Sequence, residues 1–327
     1  MRNQLVTVFG GSGFLGRHAI RALAKAGYRI RAAVRRPSTA NFLPPMGHVG
    51  QIQLMRCNVR EAGQLAEALE GAHAAVNLTG ILFPRGEQTF EAIHVEAAQA
   101  IARSAAEAGV AALVHVSAIG ADPDAGSQYA STKGEGEARV REAFPAASIL
   151  RPSAVFGPED RFFNKFAEMA RLLPALPLIG GGETKFQPVF VGDVAAAIAR
   201  CLEDPAAQGG VFELGGPAVH SFKQLMQFIL RETGRKRLLL PVPFFLAAAE
   251  ALVLEIPSMI LPIEPVLTMD QVRMLKSDNV VSPGARGFRE LGIEPHLIEA
   301  IVPSYLWRYR PKGQFDRLAT GRAEAQR

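Results

Sequence analysis

The sequence predicts an α/β protein: a doubly wound parallel sheet with helices on both faces, joined to a smaller C-terminal α/β lobe. Up to about residue 157, short β-branched runs alternate with helical periodicity, the pattern of repeated strand–helix units. Glycines at positions 10, 13 and 16 mark the first strand–helix junction. Beyond Gly157 the alternation loosens and proline and glycine become frequent, as in "LLPALPLIGGGETKFQPVFVGD", "LPVPFF" and "EIPSMILPIEP". The expected organisation is a dinucleotide-binding domain over 1–157, a smaller lobe over 158–311 with interleaved strands returning to the main sheet, and a tail over 312–327.

Taken in order, "LVTVFG" is the first strand. Leu15, Ala19, Leu23 and Ala26 recur at near-helical spacing, and Gly27 stops that helix. Further strands are expected at "YRIRAAV", "QIQLMRC", "AAVNLTG", "ALVHVSA" and "ASILRPS", separated by helical segments such as "FEAIHVEAAQAIARSAAEAG". Right-handed crossovers place helices on both faces of such a sheet, and its ligands lie at the carboxyl ends of the strands. The tail "KGQFDRLATGRAEAQR" has no apolar stripe.

Composition narrows the function classes. A 327-residue chain with 48% hydrophobic and 20% charged residues is a folded globular protein. Cys57 and Cys201 are isolated in sequence, which argues against a disulfide framework or a metal knuckle and for a reducing compartment. The start "MRNQLVTVFGG" runs into a strand without the apolar core of a secretory signal, so retention in the cytoplasm is expected. Net charge is +5, yet outside "VRRP", "GRKR" and the tail most arginines sit beside acids. A nucleic-acid stripe is absent from this pattern, while an anionic membrane surface or acidic partner stays open.

The glycines form G-x-x-G-x-x-G at the exit of a strand and the entry of a helix, the context in which that spacing binds a dinucleotide. Gly10 permits the tight turn, Gly13 lets the backbone approach the pyrophosphate, and Gly16 lets the helix pack on the sheet. The helix N-terminus, with Phe14 and Leu15 in its first turn, faces the phosphates. Where an acid would bind the ribose 2′-hydroxyl of NAD, the chain has Arg35 and Arg36. Guanidinium groups suit a 2′-phosphate, and Arg17 is placed to close on the same group, so NADP(H) is the expected cofactor. Tyr129 and Lys133 are spaced i, i+4 and share one helix face.

Together with "RCNV", "NLTG", "VHVSA", "YASTK", "LRPSAVFGP" and "FQPVFVGDVA", the Rossmann-type glycine motif makes the chain resemble the extended and atypical short-chain dehydrogenase/reductase superfamily over nearly its full length. The resemblance implies that Asn58 and Val59 flank the adenine, that Thr79 and Gly80 line the phosphate and ribose path, and that Pro152, Ser153 and Val155 lie near the nicotinamide. It also implies that Lys133 binds the ribose hydroxyls and lowers the Tyr129 pKa, so that the tyrosine exchanges a proton with substrate. Family enzymes place a Ser or Thr two residues beyond Ser117, and here that position is Ile119, which neither donates nor accepts a hydrogen bond. Ser117 is then the remaining, weaker candidate, and a missing donor of this kind costs on the order of 100-fold in rate.

The stretches "VNLTGILF", "FEAIHVEAA", "VHVSAIGADP", "LPLIGGGETKFQPVFVGDVA" and "LKSDNVVSPGA", and above all "GPEDRFFN", are similar to the family of nucleotide-binding accessory subunits of respiratory complex I and its bacterial relatives. That similarity implies a buried NADPH away from the electron path, other complex I subunits as partners, and a peripheral place on the cytoplasmic face of the inner membrane.

Other residues are read as structural. His18, His94 and His115 are packing residues without a second ligand at metal spacing, Asp193 caps the helix that follows it, and Glu135 and Glu137 are solvated helix surface. From Leu238 to Leu261 a long apolar run is interrupted by Glu250, Glu255 and prolines, which argues against a membrane span. Preceded by "GRKR", the stretch 235–261 fits an interfacial or partner-binding segment, with Phe244, Phe245, Leu246, Leu252 and Val253 on its apolar face, or a buried helix of the lobe. Three functions follow: a structural NADPH-holding subunit, a free NADP-dependent reductase or sugar-nucleotide epimerase/dehydratase using Tyr129, or a soluble NADP redox sensor.

Overall fold

The structure is a computed structural model and describes residues 4–260, 265 and 267–315. The chain runs through β1 (Leu5–Phe9), α1 (Phe14–Lys25), β2 (Arg29–Val34), β3 (Ile52–Arg56), α2 (Ala62–Leu69) and β4 (Ala74–Asn77). A π-helical turn, Glu91–Glu96, leads directly into α3 (Ala97–Glu107), then β5 (Ala112–Val116), α4 (Gln128–Ala143) and β6 (Ser148–Pro152). After these come β7 (Val155–Phe156), α5 (Phe163–Leu172), β8 (Ala175–Ile179), β9 (Lys185–Phe186), β10 (Val189–Phe190), α6 (Val191–Glu203) and β11 (Val211–Leu214). β12 (His220–Ser221), α7 (Phe222–Thr233), β13 (Leu238–Val242), α8 (Phe244–Ile260) and α9 (Met269–Met274) follow. Of the expected tail, 316–327 lies outside the described residues, as does Leu261 of the apolar run.

Seven strands form one parallel sheet in the order β11-β6-β5-β4-β1-β2-β3, the Rossmann-type arrangement the sequence predicts. The strand order reverses between β1 and β4, and in such sheets a ligand crevice opens where the order reverses. The chain divides into two compact units. One comprises Met1–Ser153, Val191–Gly215 and Val281–Pro295 and holds the sheet; the other comprises Ala154–Phe190, Gly216–Val280 and His296–Arg327.

In the first unit the buried stripe of α1 is Gly16, Ala19, Ile20, Leu23 and Ala24, turned slightly from the stripe expected through Leu15 and Ala26. Phe9, Ala75, Leu113 and Ile149 of the sheet pack with Ala98, Ile101, Ala102 and Ala105 of α3 in a continuous core. Such close packing of small helix residues brings helix and sheet near enough to exclude water. Asp193 stands inside the first turn of α6 rather than ahead of it, because the helix already begins at Val191. An acid there complements the positive end of the helix dipole.

Glu137 corrects a second expectation. Glu135 remains partly exposed beside Arg139, but Glu137 is buried and takes a two-pronged contact from Arg151 of β6, Nε to Oε1 at 2.9 Å and an Nη to Oε2 at 2.7 Å. Arg151 also lies 3.6 Å from the Glu213 carboxylate on β11. The position on α4 faces the sheet, so a carboxylate there persists only with its cation supplied.

The second unit is built around aromatic rings. Phe156, Phe163, Phe222 and Phe228 are buried with Leu225, Ile229 and Leu306, and Phe162 stacks edge-on against Phe163, Phe166 and Phe222. Within "GPEDRFFN", Asp160 accepts the Tyr305 hydroxyl at 2.6 Å and the backbone N–H of Gly157 and Asn164, while Asn164 takes a short hydrogen bond from Arg308. Burial pushes the Asp160 carboxyl above the usual range, and the tyrosine and backbone donors partly offset it. The motif therefore ties α5 to the segment around 305–308.

Removing the Glu137 charge tests the buried pair. Glu137→Gln is expected to lower unfolding stability by about 2 kcal/mol, the scale of a lost charged hydrogen bond, measured by urea denaturation; an unchanged midpoint contradicts the assignment.

Candidate functional site

The site is built on the turns that leave β1 and β4, on either side of the reversal in strand order. Gly10 adopts φ +76, and a Cβ there would lie 2.9 Å from the Leu78 carbonyl oxygen of the neighbouring turn. A Cβ on Gly16 would lie 2.4 Å from the Gly10 carbonyl oxygen, so α1 reaches the turn only because that position has no side chain. Gly13 is exposed, and its N–H closes the turn on the Gly10 carbonyl at 3.0 Å. α1 starts after Gly13 with no side-chain cap and no acid in its first turn. The first backbone N–H groups of a helix lack internal partners, so the Phe14–Leu15–Gly16 end presents them with no competing carboxylate. This cradle fits a pyrophosphate.

Under the β4 turn lies a buried polar cluster. Asn77 Oδ1 accepts the Thr79 backbone N–H at 3.0 Å and the Thr79 hydroxyl at 2.6 Å. Its Nδ2 must then be the group 3.1 Å from His115 Nδ1. His115 Nδ1 therefore accepts, and the ring carries its proton on Nε2, which has no partner among the described residues. Ser117 Oγ is likewise buried and unpartnered among them. His94 is held in the other tautomer. Its Nε2 accepts the Ile81 N–H at 3.2 Å, so Nδ1 donates to Thr132 Oγ1 at 3.0 Å.

Lys133 completes the cluster. Its Nζ donates to the Val116 carbonyl at 3.1 Å, and a Cβ on Gly80 would lie 3.5 Å from Nζ and 3.9 Å from His94 Nε2. Burial pushes Lys133 down to about 8, with Glu137 opposing. Burial, reinforced by Lys133, pushes His94 and His115 down to about 3, so both rings are neutral. Tyr129 packs edge-on against His94 at 5.3 Å and against Phe90 at 6.1 Å. Burial pushes its hydroxyl up to about 12, which leaves it protonated at neutral pH. Ile119 is buried and its N–H is used by the Pro152 carbonyl, so no hydroxyl stands at that position.

Gly10, Gly13, Phe14, Leu15, Gly16, Arg17, Arg35, Arg36, Asn58, Val59, Thr79, Gly80, Ser117, Tyr129, Lys133, Pro152 and Ser153 all belong to the unit that holds the sheet, and Val155 belongs to the other. Arg35 and Arg36 are exposed just past the end of β2, with no acid between Val34 and Thr39. Arg17 lies over the Phe42 ring, 4.7 Å from its centroid. Asn58 turns the chain into α2, accepting the Arg60 N–H at 3.3 Å. The Val59 side chain is part of the core, which leaves its backbone as the group available to a base. Sequence reasoning missed the roles of Asn77, Thr132 and the two histidines. A signal existed in the polar residues set inside the apolar runs "AAVNL" and "ALVHV", but which atoms they join depends on strand pairing.

In the second unit the stretch 235–261, expected to be an interfacial or partner-binding segment or a buried helix, forms a strand and a helix over its described residues. β13 pairs with β8 in parallel, and Arg235 and Arg237 donate through Nε to the carbonyls of Tyr309 and Ala170. Ala247 and Ala251 bury one side of α8. Phe245, Leu246 and Leu252 are exposed on α8, Leu238 and Leu240 on β13, and Leu172 and Leu173 at the end of α5. Phe244 is partly buried, and the Val253 side chain lies outside what is described. Among the described residues, no helix is long and apolar enough to cross a membrane.

Comparison with known proteins agrees with this geometry. Residues 6–215 match the NAD dependent epimerase/dehydratase family. The chain is 34% identical over 316 residues to subunit 9 of the NADH dehydrogenase (ubiquinone) 1 alpha subcomplex, mitochondrial, of Arabidopsis thaliana, covering 94% of this chain and 79% of that protein. Its identity to the mitochondrial NADH-ubiquinone oxidoreductase 40 kDa subunit of Neurospora crassa is 31% over 310 residues, covering 95% and 80%. Among solved structures, dTDP-glucose 4,6-dehydratase of Streptomyces venezuelae with NAD bound superposes at a TM-score of 0.68 with 20% identity, covering 94% and 96% of the two chains, which is a likeness of fold.

The Lys133 environment predicts a pH dependence of stability. Its folded value of about 8 lies below the ordinary 10.5, so between these the unfolded chain holds a proton that the folded chain has released. Stability from this group then rises with pH across that window. Cys57 and Cys201, pushed up by burial, act in the opposite sense above about pH 9 in parent and variant alike. The expected outcome is that parent minus Lys133→Met stability, from urea midpoints, increases between pH 8 and 10; a flat difference contradicts the assignment.

Proposed function

The chain belongs to the NAD dependent epimerase/dehydratase family, of the extended short-chain dehydrogenase/reductase type, and to one family with the plant and fungal subunits. On that premise we propose that it is an NADPH-holding accessory subunit of a respiratory NADH:ubiquinone oxidoreductase. In this reading it stabilises the assembly at the junction with the membrane arm, from the cytoplasmic face of the inner membrane, and turns over no substrate of its own. The observation that carries the proposal is a nucleotide cradle that is complete beside a proton-transfer site that is not. The cradle has its three glycines, the uncapped helix end and Lys133. At the reacting end, Ile119 replaces a hydroxyl and Tyr129 is pushed up to about 12.

Gly10, Gly13 and Gly16 would admit the pyrophosphate to the backbone, Arg35 and Arg36, with Arg17, would pair the 2′-phosphate, and Lys133 would hold the ribose. Bound NADPH itself supplies phosphate charge, ring surface and a transferable hydride. Two exposed arginines at the end of β2 select the phosphorylated cofactor because no carboxylate competes for them. The intact Tyr129 and Lys133 pair favours the second reading, a free NADP-dependent reductase or epimerase/dehydratase. The exposed side of α8, with Leu238 and Leu240 of β13, supports peripheral attachment to a membrane subunit or lipid.

The purified protein is expected to bind NADPH in preference to NADH by calorimetry. Arg36→Asp should weaken NADPH binding roughly 10- to 100-fold, the worth of a charge-assisted bond, and spare NADH; equal affinities in the parent sink the cofactor assignment. A ligand that binds only the folded state raises the melting temperature. That rise should survive in Tyr129→Phe and vanish in Gly13→Val. Should Tyr129→Phe abolish a robust NADPH-consuming turnover instead, the enzyme reading replaces this one.

In its own cells the protein should fractionate with membranes as part of an assembly after mild detergent extraction. Phe245→Asp with Leu252→Glu is expected to release it while NADPH binding persists. A parent that is soluble and alone contradicts the subunit reading.

A further inference from the structure

The π-helical turn at Glu91–Glu96 brings His94 against the turn that leaves β4. A wide turn adds a residue to the helix and is often found where a side chain must be re-aimed. Here it sits against α4 because Gly136 has no side chain: a Cβ there would lie 2.0 Å from the His94 carbonyl oxygen. The His94 ring then spans two elements. Ile81 N–H, which can only donate, points at Nε2; Nδ1–H donates to Thr132 Oγ1; and Thr132 passes its own hydrogen to the Gln128 carbonyl at 2.7 Å. The direction of every bond in this chain is set by the backbone groups at its two ends. Phe90 and Tyr129 pack on the ring.

The Thr79–Ile81 turn, whose Ile81 N–H His94 accepts, is held at its other end by Asn77, which takes both Thr79 donors and is itself fixed by His115. Between the two anchors stands Gly80, facing Lys133 Nζ. We infer that His94 is a positioning residue for the dinucleotide: as a hydrogen-bond acceptor for Ile81 it fixes the Thr79–Ile81 turn against α4 and so sets where Gly80 stands beside Lys133 Nζ, the amine read above as the partner of the ribose. This rests on the nucleotide reading above. With the acceptor lost, the turn keeps its anchor at Thr79 but not at Ile81, and ordering it falls to the ligand, which weakens binding.

The test is the NADPH dissociation constant of His94→Phe and His94→Gln, with the melting temperature of each measured without nucleotide. Phenylalanine keeps the ring packing and removes both nitrogen partners, whereas glutamine returns an acceptor for Ile81. His94→Phe is expected to bind about tenfold more weakly, the worth of one buried hydrogen bond, and His94→Gln to recover most of that loss. If His94→Phe melts lower yet binds NADPH as the parent does, His94 only fills space and the inference is overturned. Equal weakening in both variants also overturns it, since the acceptor would then not matter. A parent that binds no dinucleotide overturns the nucleotide reading and this inference with it. Independently of any variant folding, the 15N signals of His94 at neutral pH should show Nδ1 protonated and Nε2 bare; the opposite tautomer contradicts the geometry.

Discussion

The near-contact between the two turns at the centre of the sheet is the constraint on which the site depends. Gly10 in its left-handed conformation leaves no room for a side chain beside Leu78, and Gly16 leaves none beside Gly10. Once β1 and β4 pair in register from Val6 to Phe9, those turns must share one small volume at the carboxyl ends of the strands. A helix N-terminus then points into that volume without a capping side chain. Backbone geometry alone makes this volume fit for an anion before any charged side chain is considered.

Desolvation sets the second layer. Lys133, His94 and His115 are buried together, and low dielectric disfavours three cations at close quarters. The lysine retains the charge most readily, because it starts from the highest ordinary value and Glu137 favours its charged form, while the two imidazoles are driven neutral. Neutrality is what lets each ring accept one hydrogen bond, and opposite tautomers let them serve opposite ends of the same turn. Glu137 thereby has two tasks: it balances Arg151 across α4 and β6 and adds to the field at Lys133.

The second unit follows a different logic. Its core is aromatic, and its one deeply buried carboxylate, among the described residues, is Asp160, held by Tyr305 and backbone N–H groups. Leucines and Phe245 remain on the outside of α8 and β13. Ala247 and Ala251 bury the inner side of α8 with Phe244 partly buried beside them, while Phe245, Leu246 and Leu252 face solvent.

The sequence by itself determined the strand–helix order, the glycine cradle, the arginines past β2 and the shared face of Tyr129 and Lys133. Each of these depends on neighbours within a turn or a strand, where spacing along the chain maps directly onto spacing in space. It also showed that Ile119 stands where a hydroxyl is expected. Only the tertiary structure decided that Glu137 is a buried ion-pair partner, that Asn77 meets His115 and His94 meets Thr132, each across 38 residues, and that Asp160 meets Tyr305 across 145. No local period encodes such contacts. They exist because strand pairing and helix docking bring distant polar groups into a volume without water, where each must find a partner.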